Sequence, residues 1–281
     1  MVVLSTKLGA AVGKRLRRRY GVLPRTFEFL CRLVLGGMKL KTILKKIAKR
    51  MGFEVRRMTP STSDALRTRL LLNHHKIDLV LDVGANAGQY ASSLREFGYA
   101  GKIVSFEPLS SAYSVLERKS RTDPLWIVAS RTAIGNIDGK IEINISENSY
   151  SSSVLGMLDS HLDAAPNSAY IGSEMVAINK LDTLANDYIK DDDRSIYLKM
   201  DVQGFEMQVL EGAAQILPRV MGIQTELSLV PLYKGQALFT EMLEKMDELG
   251  YELHAIYPGF SDMKTGRMLQ SDGLFFRKEK F

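Results

Sequence analysis

Residues 79–89 read LVLDVGANAGQ. An apolar run broken only by Asp82 leads into two glycines that flank Asn86. A near-continuous apolar run, rather than strict alternation, marks a strand covered on both faces, as in a parallel sheet. The stretch that follows, QYASSLREFGY, has helical periodicity and ends at Gly98. A strand-to-helix junction of this kind presents a helix N-terminus and approachable backbone to a polar ligand. The dinucleotide fingerprint G-x-G-x-x-G is not met, because Asn86 and Gln89 stand where its second and third glycines belong. A pyrophosphate would meet the Asn86 side chain, so the turn suits a smaller ligand that carries its own charges. The competing reading is a glycine turn kept for close packing.

The same alternation continues outward from this junction. KIVSFEP and LWIVASRTAIG read as strands, and SSAYSVLERKS between them as a helix. DGKIEINIS alternates, with Asp138-Gly139 as a hairpin turn into an antiparallel excursion. Residues 147–173 have no periodicity and read as a long loop over a site. SIYLKMDVQG is a strand, FEMQVLEGAAQIL a helix with Gly212 inside it, GIQTELSLV a strand and QALFTEMLEKMDELGY a helix; ELHAIYP and DGLFFRK are the last two strands. The pattern predicts one doubly wound α/β domain over residues 61–281, with ligands at the carboxyl ends of its strands. Residues 1–60 are a basic, partly helical extension.

The net charge of +6 conceals an asymmetry. Residues 1–60 hold 16 Lys and Arg against 2 Asp and Glu, net +14, while the rest is net −8. KRLRRRY, residues 14–20, is followed by an apolar stretch that Glu28 and Arg32 interrupt. It makes a poor secretory signal and is too short and charged to span a bilayer. MKLKTILKKIAKRMGF places Leu40, Ile43, Leu44, Ile47 and Met51 on one helical face and lysines around the rest. That is the pattern of a helix lying on an anionic membrane, and the alternative is a helix packed on the domain. Met38, after Gly36-Gly37, is a candidate start of the chain. Cys31, the single cysteine, forms no intrachain disulfide and points to a reducing, cytoplasmic setting, with the basic arm allowing peripheral contact with the membrane through residues 1–57. No histidine has zinc-ligand spacing.

Asp82 ends the first strand and can pair with a cationic amine. Glu107 ends the next, in SFEP, where a carboxylate can accept both hydroxyls of a ribose. Amine, carboxylate and ribose together describe S-adenosylmethionine. In YLKMDVQGFEMQVLEGA, Lys199 and Asp201 are two apart on a strand and point to one side. Glu206 opens the following helix, where a carboxylate suits the dipole. A lysine beside two carboxylates can orient and deprotonate a hydroxyl; the plainer reading is a strand-end ion pair with a capping Glu206. Asp201, Glu206 and Glu226 also leave magnesium open as an oxygen-ligated ion, although no metal is required.

The run LDVGANAGQY, SFEP, SSS, LDTL, LKMDVQGFEMQVLEGA, ELSLVPLYKGQ, DGLFFRK resembles, in order, the FkbM family of S-adenosylmethionine-dependent methyltransferases over roughly residues 65–278. The resemblance implies a mostly parallel seven-stranded, Rossmann-like class I methyltransferase sheet and methyl transfer to oxygen, commonly of a sugar or polyketide. It implies that Asp82, Gly84, Ala85, Asn86, Gly88 and Gln89 surround the methionine part, with Glu107 on the ribose and Ala133 completing the cofactor site. Asp201 would face the methyl group, supported by Lys199 and Glu206. Many relatives carry glutamate where this chain has Gln203. The expected acceptor is a small molecule or glycolipid, and residues 147–173 (Tyr150 to Ser153, His161, Tyr170) and the VPLYKG segment at 230–235 are where it would bind. A nucleic-acid methyltransferase is the alternative, opposed by the acidic body and the lack of aromatic-basic interleaving. A non-catalytic binding protein retaining the fold is the other.

Overall fold

The computed structural model describes residues 39–190 and 193–278; the arginine-rich segment at 14–20, Cys31 and Met38 lie outside them. The chain divides into two units, 1–58 and 59–281. The described part of the first holds one helix, α1 (Lys39–Arg50).

The second unit begins with α2 (Asp64–His74), whose first turn is capped by the Ser63 hydroxyl accepting from the Leu66 N–H at 3.3 Å. Strand β1 (Leu79–Val83) is buried at all five residues. It pairs in parallel with β2 (Lys102–Phe106) on one side and β7 (Ile196–Met200) on the other, as its apolar run requires. Between them lie α3 (Gln89–Glu96), α4 (Ser110–Ser120) and β3 (Trp126–Val128). After β7 come α7 (Glu206–Glu211), β8 (Val220–Ser228), α8 (Phe239–Glu248), β9 (Tyr251–Pro258) and β10 (Gln270–Arg277). The sheet order is β3-β2-β1-β7-β8-β10-β9, and β10 inserts antiparallel between β8 and β9. This is the doubly wound sheet that the pattern predicts, with the seven, mostly parallel strands that the family resemblance implies.

The two faces bury different sets. Leu79, Leu81, Val83, Leu198, Met200 and Phe275 pack with Val209 and Leu210 of α7 and Met242 and Met246 of α8. Val80, Ile103, Tyr197, Leu274 and Phe276 pack with Leu72 of α2 and Ala91 and Leu94 of α3. Alternate side chains of one strand thus feed two cores, which is what a doubly covered sheet demands.

A second, three-stranded sheet departs from the sequence reading. LWIVASRTAIG is not one strand. After β3 the chain leaves the main sheet, and Ala133–Ile134 form β4 of the smaller one. Asp138-Gly139 is not a hairpin turn, because β4 and β5 (Gly139–Ser146) do not pair; both flank β6 (Tyr170–Asn179). Asp138 instead accepts from the Lys180 N–H at 3.0 Å and the Thr183 hydroxyl at 2.9 Å, holding the start of α6 (Leu181–Tyr188). Residues 147–173 contain α5 (Asp159–Ala164) and the first residues of β6. The helix read through Gly212 ends at Glu211: Gly212 lies so close to the Gly135 carbonyl that a Cβ would collide with it. The small sheet packs through Ile143, Val176 and Ile178 against Leu109 and Phe205, beside the carboxyl end of the main sheet.

Candidate functional site

At that end a cavity opens beside the strand ends. Of the expected cofactor residues, Gly84, Asn86, Glu107 and Ala133 line it, and so does Asp201. Phe106, Leu109, Ile134, Ile143 and Phe205 supply an apolar wall, while Ser149, Tyr150, Ser152 and Ser153 form the opposite rim.

Glu107 is 4% exposed. Its Oε2 accepts from the Asn86 N–H at 2.7 Å and its Oε1 from the Leu109 N–H at 2.8 Å. Burial pushes the carboxyl up to about 7, against the pull of those two N–H groups. Each oxygen accepts one N–H and keeps a lone pair for a further donor. Backbone strain gathers here as well. Asn86, Ser149 and Gln203 have φ of +45°, +61° and +53°, and all three line the cavity. The Asn86 carboxamide ties the turn to the rim by donating to the Ser149 carbonyl at 3.3 Å.

Several expected ligands sit elsewhere. Asp82 is fully buried beneath the turn, where Ser105 Oγ donates to its Oδ2 at 3.2 Å and Lys199 Nζ is 3.4 Å from its Oδ1. It does not line the cavity; it pairs with Lys199, which in turn holds Asp201 on the lining. Ala85 is buried in the core, and Gln89 is exposed, with its amide 3.2 Å from the Tyr150 hydroxyl. Gly88 is packed from within: a Cβ would stand 2.8 Å from the Trp126 ring and 2.9 Å from Leu116. Gly84 is likewise pressed against the Asp201 carbonyl. Both glycines have φ above +70°, so close packing and turn conformation together exclude a side chain.

Lys199 is buried; its ammonium donates to Asp201 Oδ2 at 3.2 Å and to the Gly84 carbonyl at 3.4 Å, and lies 3.4 Å from Asp82 Oδ1 as an ion pair. Burial works against its charge, but the carboxylates of Asp201 and Asp82 outweigh it and hold the ammonium above the ordinary lysine range. Lys199 therefore anchors the site as a fixed cation. The Asp201 side chain stays 41% exposed. Its other oxygen, Oδ1, accepts from Gln203 Nε2 at 2.8 Å, and the same nitrogen donates to Glu226 Oε2 at 2.9 Å. The Tyr233 hydroxyl, 2.7 Å from Gln203 Oε1, donates to it and sets which way the amide points. The sequence marked Gln203 only as a residue standing where relatives carry an acid and Tyr233 only as part of the VPLYKG segment; their bond to each other and to the acids was not legible.

Glu206 does not face the cavity. Its Oε1 accepts from the N–H groups of Gly204 at 3.2 Å and Val202 at 3.4 Å, bracing the turn that carries Gln203. Burial raises it to about 7. Burial and the neighbouring Asp201 also raise Glu226 well above the carboxylate range. With Glu206 engaged by backbone, the three-acid magnesium set does not form. Among the described residues no three His, Cys, Asp or Glu side chains converge to hold a metal. His161 and Tyr170, expected at the acceptor site, do not line the cavity: His161 is buried against Tyr233 and Phe260, and the Tyr170 hydroxyl donates to the Leu155 carbonyl at 2.7 Å.

The family model described as the methyltransferase FkbM domain matches residues 82–253. The chain belongs to the FkbM methyltransferase family. The match spans the turn, Glu107, the small sheet and the Lys199–Glu206 segment. No curated protein matches the chain. Solved structures with similar folds include fibrillarin in its complex with Nop5p, at 15% identity, covering 79% of this chain and 85% of that one, with a TM-score of 0.42. TehB from Haemophilus influenzae has 10% identity, coverage of 76% and 62%, and a TM-score of 0.43. A TehB-like SAM-dependent methyltransferase from Corynebacterium glutamicum has 12% identity, coverage of 85% and 97%, and a TM-score of 0.37.

The cavity fits S-adenosylmethionine by its chemistry. A buried carboxyl with spare lone pairs suits a ribose, the apolar wall suits a base, and Gly84 and Asn86 offer backbone to an amino acid part. Asp201 lies on the lining where an acceptor could approach.

Proposed function

We propose that this methyltransferase acts on oxygen, methylating a hydroxyl of a small acceptor of the carbohydrate, glycolipid or polyketide kind. Asp201 carries the reading. It is the partly exposed carboxylate on the cavity lining, with Oδ2 on the Lys199 ammonium and Oδ1 on the Gln203 amide. Held at both oxygens, it retains a lone pair on each for the proton of an approaching hydroxyl. S-adenosylmethionine supplies, when bound, a methyl group already activated on a sulfonium. What remains for the protein is alignment, worth up to about 7–11 kcal/mol of barrier, and a base, worth roughly 10²–10⁴-fold. Gly84, Asn86 and Glu107 would hold the donor, Lys199 and Gln203 keep Asp201 aimed, and Glu206 keeps the Gln203 turn in shape. A nucleic-acid acceptor finds little support in a body that is net −8.

Calorimetric titration of the full chain with S-adenosylmethionine, with NAD as control, tests the donor. Micromolar binding of the first alone is expected. A radiolabelled methyl donor incubated with sugars, glycolipids and an RNA pool tests the acceptor. A base-stable, ether-linked label on a hydroxyl supports the reading; label on amines or on RNA overturns it.

A further inference from the structure

Residues 42–58 are exposed throughout, apart from the half-buried Ala48. Within α1, Ile43, Leu44 and Ile47 are 44%, 52% and 48% exposed, and Met51, Phe53, Val55 and Met58 beyond it range from 52% to 67%. Single exposed apolar residues are common, whereas a run of seven large ones is a surface that something covers. On the helix, Ile43, Leu44 and Ile47 fall within an arc of about 100°, with Met51 just past the helix end, and Lys45, Lys46, Lys49 and Arg50 occupy the rest. Residues 39–58 carry eight Lys and Arg and one Glu, net +7. The single acid, Glu54, is paired with Arg56 at 2.7 Å.

We propose that residues 39–58 dock on the surface of an anionic lipid bilayer, apolar face down and cations level with the headgroups. Charge complementarity selects this occupant. A nucleic acid would engage the cations and leave the apolar arc in water. A second copy of the segment would bring +7 against +7. An anionic membrane answers both features at once, since binding there scales with buried apolar area plus attraction to acidic headgroups. No helix among the described residues is long and apolar enough to cross a membrane, so the contact is interfacial.

The test uses the full chain and co-sedimentation with vesicles of phosphatidylcholine and phosphatidylglycerol, against phosphatidylcholine alone. Two double variants accompany it: Ile43→Ser with Ile47→Ser, and Lys45→Glu with Lys49→Glu. The expected result is binding to the anionic vesicles only, weakened at least tenfold by either variant, and weakened by salt. Calorimetric binding of S-adenosylmethionine by both variants should match the parent, which shows that the body is folded and separates this proposal from the catalytic one. Equal sedimentation of parent and variants overturns it, as does binding to neutral vesicles alone. Self-association lost in the serine variant, with no vesicle binding, would make a second copy the occupant. Retention of an oligonucleotide by the serine variant, with no vesicle binding, would make it nucleic acid.

Discussion

Gln203 Nε2 donates to Asp201 Oδ1 at 2.8 Å, and the same amide nitrogen holds Glu226 Oε2 at 2.9 Å. One neutral side chain therefore bridges two acids, and it does so from a φ of +53° that costs on the order of 1 kcal/mol or more. The Tyr233 hydroxyl and the Ser153 hydroxyl, which donates to the Gln203 carbonyl at 2.7 Å, hold it there. An amide donates at every pH, whereas a carboxyl in the same place donates only while protonated. Gln203→Glu is expected to keep near-parent kcat/KM below pH 6 and to lose about tenfold or more by pH 8. Gln203→Leu should lose it at every pH. A flat pH profile for the glutamate variant would remove Gln203 from the positioning of Asp201.

Asp201→Asn keeps the size of the side chain and its bond to Lys199 but cannot take a proton. Turnover should fall by about 10²–10⁴-fold while the dissociation constant for S-adenosylmethionine changes less than about threefold. Turnover within a factor of two of the parent would mean that the hydroxyl loses its proton elsewhere.

Much of this was legible in the sequence, and what was not has definite causes. LVLDV announced a central strand because both its faces are buried, and the order of strands and helices in the main sheet followed from period alone. The small sheet was misread because β4 is two residues long and Asp138-Gly139 has hairpin composition while doing the work of a cap on α6. Glu107, Gly84, Asn86 and Asp201 could be placed at the cavity since strand ends carry them there. Whether Asp82 or Glu206 would face a ligand or the protein was not legible. That depends on Ser105, Lys199 and the N–H groups of residues 202 and 204, which sequence spacing does not bring together.

Glu107→Ala removes the carboxyl that faces the expected ribose and also frees the Asn86 and Leu109 N–H groups. Affinity for S-adenosylmethionine should drop by about 10- to 150-fold, since groups bonding a charged partner contribute roughly 1.5–3 kcal/mol. Glu107→Gln keeps one acceptor oxygen and should fall between the two. Unchanged affinity in the alanine variant, measured calorimetrically, would contradict the ribose assignment.

Gly84 and Gly139 separate packing from mere flexibility. A Cβ on Gly84 meets the Asp201 carbonyl at a φ of +75°, while one on Gly139 meets nothing within 4 Å. Gly84→Ala should destabilise the body by about 2–4 kcal/mol, the sum of a left-handed backbone and an overpacked contact, and Gly139→Ala by less than about 0.5 kcal/mol. Urea midpoints at constant m-value provide the comparison; equal midpoints would show that the β1 turn yields without cost.

Glu206 links stability to pH. Its folded carboxyl is raised to about 7 by burial, from an ordinary value of 4.5. Between those limits the folded state binds more protons than the unfolded one, so stability falls as pH rises from about 4.5 to 7 and levels off above. Glu107, raised to about 7, and Asp272, raised to about 6, act in the same direction. The body should therefore melt at a higher temperature at pH 5.5 than at pH 7.5. Glu206→Gln keeps a carbonyl oxygen for the N–H groups of Val202 and Gly204 and removes the ionisation. It should leave the melting temperature at pH 5.5 nearly unchanged and raise it at pH 7.5, by an amount corresponding to on the order of 1–3 kcal/mol. A variant that loses stability equally at both pH values would show that the second carboxyl oxygen, rather than the proton, is what the turn requires.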